Sequence, residues 1–219
     1  MFDVYGTLLD VDSAVRRCDP GGALPDGFSQ GWRAKQLEYS WTLQAMGAYR
    51  DFAAVTSEAL DHVIAATGAG ALLRQSLLEA YRSLDSFPEV DVVLRALLSS
   101  GARLAVLSNG TAPMLASALE AAGIGRLFET VISVDEIGVY KPDPRVYRHA
   151  AQRLAASASQ IDFVSSNAWD AAGARRCGMR VRWVNRRAGP DEYQLVDTGS
   201  AVADLRGLLG AGAGGALGG

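Results

Sequence analysis

Met1-Phe2-Asp3-Val4-Tyr5-Gly6-Thr7-Leu8-Leu9-Asp10 opens the chain and sets an aspartate on a tight, glycine-assisted turn directly behind two apolar residues. A carboxylate in such a place reads as a nucleophile. Two stretches far downstream share its shape: Val106-Leu107-Ser108-Asn109-Gly110, and Phe163-Val164-Ser165-Ser166-Asn167-Ala168-Trp169-Asp170. Each is an apolar run that ends in small polar residues, as expected where a buried parallel strand reaches the surface of a sheet.

Working outward, similar apolar runs cover Arg103 to Leu107, Thr130 to Val134, Ile161 to Ser165 and Val181 to Val184. Between them lie one-face helical patterns, with Val90, Val93, Leu94, Leu97 and Leu98 in one and Leu115, Leu119 and Ala122 in another. This alternation predicts an α/β fold built on an open, doubly wound parallel sheet of Rossmann-like type, which binds ligands beyond the carboxyl ends of its strands. Ser108, Asn109, Ser165 and Asn167 fall at such ends. The catalytic core is assigned to residues 1–10 and 87–209. Residues 11–86 differ, having no strand-like run; after a Gly/Pro-rich lead-in at Pro20 to Gly27 they carry three amphipathic stretches, Ser29 to Met46, Asp51 to Thr67 and Ala71 to Leu84. They read as a helical cap inserted after the first strand, which would exclude water from the nucleophile. The Gly/Ala tail, residues 210–219, is expected to be disordered. Because only Met1 and Phe2 precede Asp3, the first strand is expected to be a stub, from a late start or a truncation.

The chain has 219 residues, 49% of them hydrophobic, which is enough to fill a core and excludes a disordered protein. Its net charge of −3, without a basic run, argues against nucleic acid as a partner. Cys18 and Cys177 are expected to be reduced thiols. With no signal segment and no apolar run of the roughly 18 residues a membrane span needs, no membrane role and a cytoplasmic location are expected.

Asp3 in its turn, the Ser108 and Ser165 stretches and Lys141 between them resemble the haloacid dehalogenase superfamily. Its phosphatases carry a second aspartate two residues past the nucleophile, to protonate a leaving alcohol. Here that residue is Tyr5. A halide leaves as a stable anion and needs no such proton. Ser166 stands at one of the positions where the phosphatases hold magnesium, leaving Asp170 alone, and a hard octahedral cation prefers several carboxylates. The site therefore reads as free of metal and of any cofactor. Trp32-Arg33-Ala34-Lys35-Gln36-Leu37-Glu38-Tyr39 and Ser165 to Asp170 resemble, more closely, the L-2-haloacid dehalogenases.

That resemblance implies hydrolysis of short L-2-haloalkanoic acids to D-2-hydroxy acids through an aspartyl ester. Asp3 would attack the halogen-bearing carbon. Arg33 would receive the halide, with Asn109 and Phe52 in the same cradle. Ser108 and the amides near Tyr5 and Asn109 would hold the substrate carboxylate. Lys141 would neutralise the paired acids; with Asp170, Ser165 and Asn167 it would place the hydrolytic water, supported by Thr7 and Tyr147. Tyr5, Leu37 and Trp169 would line the alkyl pocket. Ala34 departs from a glutamine common in the family, so pocket polarity is expected to differ. His62 and His149 lie outside every motif. Similar proteins are commonly homodimers, which admits that state here. The rival readings are a magnesium-dependent phosphatase of the same superfamily and an inactive or binding member of the fold.

Overall fold

The computed structural model describes residues 1–196 and 198–209; the expected disordered tail lies outside them. Helices α1 (Ser13–Cys18), α2 (Phe28–Met46), α3 (Phe52–Thr67) and α4 (Arg74–Tyr81) come first, followed by α5 (Val90–Ser99). Strand and helix then alternate through β1 (Ala105–Ser108), α6 (Ala112–Ala121), β2 (Thr130–Ser133), α7 (Pro144–Arg153), β3 (Asp162–Ser165), α8 (Ala168–Arg176) and β4 (Arg180–Val184), with β5 (Ala201–Val202) last. β1 pairs in parallel with β2, β3 with β4, and β4 with β5.

The N-terminal stub joins these two groups of strands. The Phe2 amide donates to Ala105 O at 2.8 Å and Phe2 O accepts from Leu107 N at 2.9 Å, while on the other side Val164 N donates to Met1 O at 2.9 Å and Asp3 N to Val164 O at 2.9 Å. The sheet therefore runs β2, β1, Met1–Phe2, β3, β4, β5, all parallel, and Asp3 emerges at the carboxyl edge of its middle. Beneath Met1 the sheet is open: a cavity of about 640 Å³ extends between Arg103–Ala105 on one side and Gln160–Asp162 on the other. The Met1 amine caps it, donating to Asp162 O at 2.8 Å. Burial pushes that amine down to about 5, against the pull of the Asp162 carboxylate.

Helices α2 and α3 form for local reasons. α2 buries Phe28, Trp32, Gln36, Ser40 and Leu43, one face at helical spacing, and stops at Gly47, whose left-handed backbone lets its amide reach back to Leu43 and Gln44 carbonyls. Asp51 caps α3 by accepting from Ala54 N at 2.9 Å. The third amphipathic stretch departs from the single helix expected over Ala71 to Leu84. It begins as a 3₁₀ turn at Ala71–Leu73 and its α-helix ends at Tyr81. The chain beyond must turn back to the core, where Asp10 N donates to Asp85 O at 2.8 Å and Leu9 bridges Ser86 antiparallel. That pairing requires extended backbone. α1 and the two-residue edge strand β5 are additional to the sequence expectation, being too short to display a period.

Candidate active site

The turn after Asp3 is built on one carbonyl: Val4 O accepts from the amides of Thr7, Leu8 and Leu9. Closing it requires the left-handed φ of +84° that Gly6 supplies. The turn places the Thr7 hydroxyl so that it donates to Asp3 Oδ2 at 2.9 Å. Ser166 secures it from the next strand end, its amide donating to Thr7 Oγ1 at 2.8 Å and its hydroxyl to Gly6 O at 2.7 Å. Asn167 Nδ2 gives Asp3 Oδ2 a second donor at 2.9 Å.

Lys141, wholly buried, spends all three of its protons. Its ammonium donates to Asp3 Oδ1 at 3.1 Å, Asp170 Oδ2 at 2.8 Å and Leu107 O at 2.7 Å. Its backbone is fixed as well, the amide donating to Asn109 Oδ1 at 3.1 Å, which leaves the NH₂ as the donor end of Asn109. Asp170 also accepts from Tyr147 OH at 2.7 Å and Ser165 Oγ at 3.1 Å. Ser165 stands 3.4 Å from Asp3 Oδ2 and so faces both acids. Burial opposes the charge on Lys141, yet Asp170 and Asp3 hold its pKa above the ordinary lysine value. Burial likewise pushes the Asp170 carboxyl up to about 6, with Lys141 pulling the other way and Asp3 adding to the rise. The cluster is a buried ion triad with an odd negative charge.

The site's other wall is aromatic. Tyr5 stacks on Tyr81 with ring centroids 5.4 Å apart and lies 6.0 Å from Phe52; Trp32 meets the far side of Tyr81 at 5.0 Å. Burial raises the pKa of Tyr5 and of Tyr81, and the charge of Arg33 opposes it in both, so the half-buried guanidinium lies close to both phenols. The Tyr5 hydroxyl is buried without a partner among the described residues. Leu37 follows Arg33 by one turn on the same face of α2. Trp169 packs edge-on against Trp41 of α2, centroids 5.3 Å apart. Gln44 ties α2 to the segment leading into α7, accepting from Tyr140 N at 2.9 Å and donating to Asp143 Oδ2 at 3.0 Å.

The structure thus brings Asp3, Thr7, Lys141, Tyr147, Ser165, Asn167 and Asp170 into one hydrogen-bonded cluster, with Asn109 joined through the Lys141 backbone. Ser108 is fully buried beside it, its hydroxyl accepting from Gly110 N at 3.2 Å. Tyr5, Arg33 and Phe52 face it from the aromatic side. Ala34 is exposed. His149 pairs with Glu136 at 2.8 Å, and His62 packs edge-on against Tyr39. Three contributors lay outside the sequence reading: Ser166 as a clamp on the turn, Tyr81 and Gln36. Gln36 did leave a signal, a lone amide at a buried helical spacing otherwise held by Phe28, Trp32, Ser40 and Leu43.

The donor set does not fit a divalent cation. The space between the two carboxylates holds the Lys141 ammonium, and Ser166, at the position where a third acid would stand, gives its proton to Gly6 O. Among the described residues no cluster of three or more His, Cys, Asp or Glu could hold a metal. No helix there is long and apolar enough to cross a membrane.

Known proteins are similar to this one along nearly the whole chain. An (S)-2-haloacid dehalogenase of Pseudomonas sp. (strain YL) is 45% identical, over 95% of this chain and 91% of its own. The (S)-2-haloacid dehalogenase 4A of Burkholderia cepacia is 41% identical, over 94% of this chain and 90% of its own. The structure of the L-2-haloacid dehalogenase from Xanthobacter autotrophicus with chloropropionic acid covalently bound superposes with a TM-score of 0.84 at 31% identity, each chain covered to 98%. The sequence profile of the haloacid dehalogenase-like hydrolases matches residues 1–178, and the chain belongs to that family.

Proposed function

We propose that the protein hydrolyses short L-2-haloalkanoic acids to D-2-hydroxy acids and halide through an ester on Asp3. The observation that carries this reading is the state of Asp3. It is a nearly buried carboxylate with Oδ2 held by Thr7 and Asn167 and Oδ1 on the Lys141 ammonium, with Tyr5 where a phosphatase would carry its acid. In the first step an Asp3 oxygen forms a bond to C2 as the carbon–halogen bond breaks, and the halide leaves with the bonding pair. In-line displacement inverts C2. Arg33 receives the halide, since a guanidinium is always charged and stabilises an anion whose charge grows in the transition state. Asn109, through its NH₂, and the edge of Phe52 complete the halide cradle; Ser108 and nearby amides hold the substrate carboxylate. Tyr5, Leu37 and Trp169 flank the alkyl group.

In the second step water attacks the Asp3 carbonyl carbon. Asp170 takes the proton, the ester C–O bond breaks, and the product oxygen keeps its bond to C2. Asp170, with a carboxyl raised to about 6, is poised near neutral pH for that transfer. Lys141, Ser165 and Asn167 orient the water, Thr7 and Tyr147 support the two acids, and the helices over residues 11–86 act as the cap that excludes bulk solvent. The reading places the enzyme in the cytoplasm; sedimentation would test whether its working form is a homodimer.

The test is isotopic. In a single turnover in heavy-oxygen water the label enters Asp3 and the product carries an unlabelled oxygen from the enzyme. Label confined to the product, with none in the protein, means direct attack by water and overturns the ester. Asp3→Asn folds but turns nothing over, because an amide is a far weaker nucleophile.

A further inference from the structure

Gln36 is a polar side chain wholly removed from solvent, on the face of α2 otherwise filled by Phe28, Trp32, Leu43 and the small Ser40. A leucine or methionine would fill such a place without any need for partners. The amide here has partners on both ends. Nε2 donates to Thr56 Oγ1 at 3.0 Å, which fixes the orientation of the group, and Oε1 accepts from Tyr81 OH at 3.2 Å. The same Oε1 faces Arg33 Nη1 at 3.5 Å. Thr56 is firmly seated, since its carbonyl accepts from Trp32 Nε1 at 2.9 Å and ties α3 to α2. Tyr81 is clamped between the rings of Tyr5 and Trp32. None of the three bonds enters the Asp3–Lys141–Asp170 cluster; the one charged group they meet is the guanidinium.

We infer that Gln36 and Tyr81 are positioning residues that hold the Arg33 guanidinium at the angle from which it meets the leaving halide. This rests on the reading of Arg33 as halide acceptor. A long cationic side chain loses most of its effect on a growing charge if it must reorganise as the charge appears. Fixing its Nη1 end on an oxygen that is itself held from α3 and α4 removes that motion, and does so without placing a competing negative charge beside the halide. A carboxylate at this position would pair with Arg33 and weaken it as an anion acceptor.

The experiment compares halide release from 2-chloropropionate and 2-bromopropionate. Gln36→Met, similar in length and without polar atoms, should lower kcat about tenfold on the chloro substrate, with a smaller loss on the bromo substrate and KM changed by less than about threefold. Tyr81→Phe removes one oxygen and should lower kcat about threefold with the same chloro bias. In an Arg33→Lys background, adding Gln36→Met should lower the rate no further, because its target is gone. Should Gln36→Met fail to fold, Tyr81→Phe alone and in the Arg33→Lys background decides. Equal losses in both backgrounds, or wild-type kcat and chloro/bromo ratio in Tyr81→Phe and Gln36→Met, overturn the positioning role while leaving Arg33 in place. If Arg33→Lys itself has unchanged rates on both substrates, it is the underlying assignment that falls.

Discussion

Gly173 of α8 comes so close to Tyr147 of α7 that a methyl group on its Cα would stand 2.6 Å from the phenolic oxygen. The same oxygen donates to Asp170 at 2.7 Å. The missing side chain at Gly173 is therefore what lets Tyr147 reach the acid, and a ring buried against Phe163 has little freedom to withdraw.

Gly173→Ala is expected to destabilise the protein by about 1–3 kcal/mol, the usual cost of overpacking a well-filled core. Catalytic rate should fall as well, as Tyr147 is displaced from Asp170. Adding Tyr147→Phe should recover part of the stability, read by urea unfolding, and none of the rate.

The pH profile of ester hydrolysis, read as decay of the Asp3 ester in single turnovers, should show an acid limb at or below about 6, since esterification removes the charge on Asp3. Asp170, raised to about 6 by burial, is protonated below that value and can no longer take a proton from water. The Tyr147 hydroxyl stabilises the charged form of Asp170, so Tyr147→Phe should move the limb to higher pH. A limb that stays in place in that variant would remove Asp170 from the base role.

Lys141→Met leaves two carboxylates facing each other out of solvent. Removing one partner of a buried ionic group costs about 3–5 kcal/mol, and the loss should show in denaturant midpoints at neutral pH. Following it with Asp170→Asn should restore much of the stability without restoring turnover.

The alternation from Val90 to Val184 was legible because buried strands and one-face helices write different periods. The polar residues at strand ends were legible because parallel sheets gather their chemistry there. Asp3, Lys141 and Asp170, distant in sequence, could be linked by resemblance alone, since nothing local to Lys141 distinguishes it from a surface lysine before a proline. Ser166 was read only as an acid that is absent, and its work as a clamp depends on the turn at Gly6, a contact between distant segments. Tyr81 sits in a stretch whose period is apolar, and its hydroxyl matters only because α2 and α3 deliver Gln36 to it. The end of α4 at Tyr81 was set by the antiparallel return at Ser86, a tertiary demand invisible to helical periodicity.

The residues that join the two halves of the sheet are the first two of the sequence, and one of their partners, Asp162, is 161 positions away. During synthesis Met1 and Phe2 leave the ribosome before any strand that will hold them. β1 and β2 can pair early, but Asp3 has no fixed position until β3 has been made and has docked on its other side. Assembly of the Asp3–Lys141–Asp170 cluster is thus a late, long-range event, of the kind that slows folding. A nascent chain halted before β3 would be expected to carry helices α1 to α4 and half a sheet, with Asp3 still untethered.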